Sequence, residues 1–113
     1  MNLPVAHPDR YAAAVEAPVA HVDRDLEDLI PGFMENRQED MGRLRNALDR
    51  GDFEALAGIA HTLKGSGGGY GFDEITEISA GMEIAAKARD KTAVEAALAA
   101  LITYLERVQI VYV

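Results

Sequence analysis

The chain has 113 residues, 49% of them hydrophobic and 27% charged, with no cysteine; this suits one globular domain with a modest core and excludes a disulfide framework, a thiolate metal site and a cysteine nucleophile. Nineteen acidic against eleven basic side chains give a formal charge of −8, which disfavours nucleic acid and anionic lipid as partners on electrostatic grounds. No apolar run approaches the roughly 20 residues of a membrane span, and the MNLPVAHPDR start lacks the basic-then-apolar pattern of a signal peptide, so no membrane contact and a cytoplasmic location are expected.

Residues 1–21 read as a helix and connector preceding the main domain, which takes residues 22–113. PDRYAAAVEA can form a short extra helix, and APVAHVD, with its proline, reads as a connector or a short extended piece. From Asp25 onward the patterning is helical, with no alternating run long enough to argue for a sheet. The first long segment, DLEDLIPGFMENRQEDMGRLRNALDRGD, places Leu26, Leu29, Ile30, Phe33, Met34, Met41, Leu44 and Leu48 at three- and four-residue spacings. Pro31 kinks or restarts it, and Gly51 stops it. Asp52 is suited to cap a second helix, DFEALAGIAHTLKGSGGG, whose far end dissolves into glycine. Asp73 can cap a third, with Ile75, Ile78, Met82 and Ala85 or Ala86 on one side. Asp90 can cap a fourth, with Val94, Leu98, Leu101, Leu105 and Val108 as its stripe. Amphipathic helices joined by short connections predict an all-α fold: an antiparallel four-helix bundle with a short extra N-terminal helix. The closing VQIVYV is uncharged and β-branched, aggregation-prone if bare and otherwise docked on the core.

The stretch HTLKGSGGGYG, His61–Gly71, is the unusual one, because glycine costs about 1 kcal/mol relative to alanine inside a helix. On a helical wheel with His61 at zero, Lys64 falls near ~300°, Gly65 near ~40° and Gly68 near ~340°, whereas Leu56, Ile59, Leu63 and Tyr70 lie near ~160–220°. His61 therefore faces away from the core, beside a bare surface that another backbone can approach. A neutral imidazole has a lone pair able to attack phosphorus, and a lysine one turn on can set an ammonium beside phosphoryl oxygens. The window His61–Phe72 contains no acid, only Lys64. There is no Walker loop, kinase signature or nucleotide fingerprint, so positioning groups and magnesium must come from a partner.

HTLKGSGGGYG closely resembles the motif of the histidine-containing phosphotransfer (HPt) domain, in which the phosphorylated histidine is followed by lysine three residues on and glycine four residues on. LIPGFMENR, the helix opening at Asp52 and GMEIAAKARD extend the resemblance over about residues 22–108. It implies that His61 accepts and donates the phosphoryl group and that Lys64 stabilises it. Gly65 and Gly68 would let a receiver domain dock, and Gly71 matches the family's glycine near the helix end. The partners implied are response-regulator receiver domains and a sensor or hybrid histidine kinase. Mg²⁺ is expected on the receiver and no cofactor on this chain, which would act as a monomeric carrier without turnover of its own. Met1 and the lack of a trailing linker favour a stand-alone carrier.

Where the family more often has alanine or serine, this chain has Gly67, Gly68 and Gly69, which predicts a softer site helix. Phe53, Met34, Met41 and Phe72 suit either a docking patch or the core. A rival reading is an HPt-like adaptor that binds a receiver or kinase without carrying phosphate. A metal site built from His7, His21 and His61 is not expected, since no HxxxH or HxxE spacing sets two ligands on one helical face.

Overall fold

Pro31 sets where the first long helix begins. Its missing amide hydrogen and fixed φ suit the first helical turn, where the N–H would have no intrahelical partner. In the computed structural model, which describes residues 17–113, β1 (Val19–Val22) leads through a 3-10 turn (Arg24–Leu29) into α1 (Ile30–Asp49), with Pro31 in its first turn. The proline thus restarts the helix. The change of helix type also breaks the apolar phase: Leu29, expected in the core, is exposed. Three more helices follow, α2 (Phe53–Gly69), α3 (Asp73–Lys87) and α4 (Lys91–Arg107), and then β2 (Gln109–Tyr112).

Each of the three helix–helix connections is one repeated piece of backbone chemistry. After α1, Gly51 N–H donates to Leu48 O at 3.0 Å and Asp52 N–H to Ala47 O at 2.9 Å. After α2, Gly71 N–H donates to Gly68 O at 3.3 Å and Phe72 N–H to Gly67 O at 2.9 Å. After α3, Arg89 N–H donates to Ala86 O at 3.0 Å and Asp90 N–H to Ala85 O at 2.9 Å. All three are Schellman closures, with φ of +67° at Gly51, +92° at Gly71 and +56° at Arg89. The next helix then starts at once. Asp52 accepts from Ala55 N–H at 3.0 Å and Asp90 from Ala93 N–H at 3.1 Å, as expected of caps. Asp73 differs from expectation: it is the first residue of α3, the cap position falls to Phe72, and no side chain caps that end.

The helices share one core, centred on fully buried Leu44, Leu56, Leu63, Phe72, Ile75, Met82, Val94 and Leu101. Phe72 and Met41 belong to it and cannot form a docking patch, while Phe53 and Met34 are half-buried against it. Phe33 of α1 stacks on Phe72 (ring centroids 4.9 Å apart) and Tyr70 (4.5 Å), which ties α1 to the α2–α3 turn.

One element departs from the all-α expectation. β1 and β2 pair in parallel, Val19 opposite Gln109 and Val22 opposite Tyr112, so both ends of the described chain lie side by side. Ala20 and Val22 are buried, and Ile110 and Tyr112 pack against the core. The connector is thus part of the folded unit from Val19 onward, and VQIVYV is docked. Strands of four residues are too short for alternation to register, and a partner far along the chain leaves no local signal. The expected extra helix over PDRYAAAVEA lies, but for its last residue, outside the described residues. Among those residues, no helix is long and apolar enough to cross a membrane.

The two non-equivalent closures predict opposite responses. Arg89→Gly relieves an L-residue in a left-handed conformation and should raise stability by about 0.5–1 kcal/mol. Gly71→Ala should lower it by about 2 kcal/mol or more, because a Cβ there meets the His21 carbonyl oxygen of β1 as well as the same backbone strain. Urea unfolding of the two variants, with unchanged slopes and midpoints moving in opposite directions, checks both.

Candidate functional site

Gly67 governs how closely two helices meet. It sits on the core side of α2, and a Cβ built there would lie 2.8 Å from Phe72 O and 2.9 Å from both Ile75 Cβ and Thr76 Oγ1. No larger residue fits without movement. The close approach lets Thr76 of α3 donate its hydroxyl to the Lys64 carbonyl of α2 at 2.9 Å. Despite the glycine cluster, α2 remains helical to Gly69. On the α1 side, Ser66 donates to Leu63 O at 3.0 Å and accepts from Arg37 at 3.2 Å. Arg37 also lies over the Phe33 ring, 4.7 Å from its centroid, and donates to the buried carboxylate of Asp40 at 2.8 Å. Asp40 accepts from Arg43 as well, so its buried charge is compensated from two sides.

Across this close contact Glu83 of α3 reaches the motif. Its carboxylate, only 9% exposed, accepts on Oε1 from Lys64 Nζ at 2.7 Å. Oε2 accepts from His61 Nδ1 at 3.1 Å and from Lys87 Nζ at 3.2 Å. The Lys64 ammonium foremost, then Lys87 and His61, outweigh the opposing effect of burial and hold the Glu83 carboxyl down at about 2. An ionised carboxylate can only accept, so the proton of a neutral His61 ring must sit on Nδ1. Nε2 then carries the lone pair. The His61 side chain is 68% exposed, so the side of the ring away from Glu83 is open to an incoming group.

The predicted residues separate into two sets. His61 and Lys64 are brought together by one carboxylate. Gly65 is exposed with open space where a Cβ would be, and Gly68 is exposed beside them with only Thr76 Oγ1 within reach, at 3.6 Å. These four form the expected stripe. Gly71 stands apart, beneath the His21 carbonyl at the α2–α3 closure, where it serves the backbone. His21 is exposed on β1 and His7 lies outside the described residues; among the described residues no three His, Asp or Glu side chains are grouped to hold a metal ion.

The sequence reading missed Glu83, Lys87 and Gly67. A signal existed for Glu83: it shares the buried side of α3 with Ser79 and Met82, where an acid needs a cation, and it has lysine four residues on. Gly67 lay on the apolar side of the wheel, at the edge nearer Lys64.

The family model described as Hpt domain matches residues 20–110 of the chain. No curated protein and no solved structure matches it.

The lowered Glu83 value fixes a pH response. A carboxyl brought from 4.5 to about 2 contributes stability that is complete above pH 4.5 and is lost as pH falls toward 2. The stability difference between wild type and Glu83→Gln should therefore shrink steadily as pH falls below 4.5. Paired urea titrations at stepped pH measure it.

Proposed function

The chain belongs to the Hpt domain family, whose members transfer phosphoryl groups through histidine in phosphorelays with receiver domains and kinases, and from that premise we propose that it is a phosphoryl carrier acting through His61. The observation that carries this reading is the ionised Glu83, which holds the Nδ1 proton and leaves the lone pair to Nε2 on the open side of the ring. In the step proposed, Nε2 attacks the phosphorus of an aspartyl phosphate on a receiver domain. The N–P bond forms, the P–O bond to the carboxyl group breaks, and its electron pair leaves on the carboxylate oxygen. The Nδ1 proton stays, so the phosphorylated ring is cationic and Glu83 stabilises it. Transfer onward to another receiver aspartate is the same step reversed. Mg²⁺ and the remaining catalytic groups belong to the receiver, as phosphoryl transfer needs positioning and charge neutralisation that this open site lacks. The short connections favour the antiparallel order of helices for the bundle that presents the site.

Intact mass after incubation with phosphoramidate tests the carrier directly. Wild type should gain one acid-labile phosphoryl group, and His61→Ala none. If neither phosphoramidate nor a panel of phosphorylated receiver domains charges the wild type, the adaptor reading replaces this one.

Docking should use the face shared by α2 and α3. Ile84 is 71% exposed, the most exposed large apolar side chain among the described residues, and follows Glu83 on α3 one turn before Lys87. Ile84→Asp should leave phosphoramidate labelling unchanged while slowing exchange with a cognate phosphorylated receiver about tenfold or more.

A further inference from the structure

Lys64 is already engaged in the free protein. Its Nζ is held 2.7 Å from Glu83 Oε1, so a phosphoryl group on His61 Nε2 competes with that carboxylate for the same ammonium. A desolvated carboxylate that loses its counter-ion either keeps the lysine or takes up a proton. A protonated Glu83 would no longer be restricted to accepting, and the Nδ1–H tautomer of His61 would lose its anchor.

Lys87 resolves the conflict. Its Nζ lies 3.2 Å from Oε2, the oxygen that also accepts from His61 Nδ1, and not from the oxygen that Lys64 occupies. It follows Glu83 by four residues, the favourable order for a helical pair, and it stands in the last turn of α3, where a cation suits the helix dipole. With Lys64 and Lys87 both on Glu83, the cluster holds one positive charge in excess. A phosphoryl dianion on a ring that keeps its Nδ1 proton brings one net negative charge, which matches that excess.

We propose that Lys87 is a positioning residue for phosphoryl transfer: a standing counter-ion that keeps Glu83 ionised and on Nδ1 while Lys64 moves to the phosphoryl oxygens. This rests on the carrier reading above. Lys87 acts through Glu83 and does not itself touch the phosphoryl group. Without it, Glu83 retains Lys64, and the His61–Lys64 pair cannot work as a unit.

The signature is non-additivity between two lysines. Initial rates of phosphoramidate labelling, read by intact mass, are compared for wild type, Lys64→Met, Lys87→Met and the double variant. Lys87 is 67% exposed, so its truncation leaves the fold in place. Lys64→Met should slow labelling about tenfold when Lys87 is present, and less than about threefold in the Lys87→Met background, where Lys64 is already withheld. Lys87→Arg should restore the large Lys64 effect, since it preserves the charge beside Oε2. Equal Lys64 effects in the two backgrounds, or wild-type labelling by Lys87→Met, overturn the proposal and leave the carrier reading standing. Absence of a wild-type adduct, from phosphoramidate and from phosphorylated receivers alike, removes both.

Discussion

The candidate site is organised by one carboxylate that three cationic or protonated donors share. Glu83 accepts from Lys64 on one oxygen and from His61 and Lys87 on the other. Such a group is expensive to bury unless donors meet its oxygens, and three donors meet it here. Remove both lysines and the carboxylate has to find another cation or take up a proton. The orientation of the imidazole, the availability of its outer nitrogen and the position of Lys64 all follow from this single acceptor.

That acceptor can work only if α2 and α3 are closer than ordinary side chains permit, and the requirement passes down to Gly67. The approach is maintained at its end by a closure whose two hydrogen bonds use the carbonyls of Gly67 and Gly68, with Gly71 in the left-handed region and Phe72 delivered into the core. Phe33 and Arg37 of α1 hold the same turn from the other side. The glycines of HTLKGSGGGYG thus do two different jobs. Gly65 and Gly68 keep the surface beside His61 low, and Gly67 and Gly71 set the backbone beneath it.

This division explains what could be read before the structure. The helices were legible because each carries a stripe at three- and four-residue spacing and because Asp52 and Asp90 announce helix starts. His61 and Lys64 were legible as neighbours because they share a face one turn apart. Glu83 was not, for a contact between residues 22 apart depends on how two helices are rotated against each other, and that is set by packing at Gly67, not by either stripe alone. The β1–β2 pairing was illegible for the same reason in stronger form: neither four-residue strand is stable alone, and each gains its order from the other and from the core beneath. Asp73 was misread because an aspartate just ahead of an apolar stripe looks the same at the cap and at the first helical position.

An exposed, incompletely furnished histidine is what a carrier requires. A group that must be received from one carboxylate and surrendered to another gains nothing from a site that binds it tightly, because stabilising the loaded state lowers the rate of giving it up. In the free protein Lys64 is engaged by Glu83, so a phosphoryl group has to draw it from that carboxylate, which offsets part of the attraction. The exposed imidazole leaves room for the remaining charge neutralisation to arrive with the partner and depart with it. On the carrier reading, the same carboxylate that readies His61 for attack also moderates how firmly the product is held.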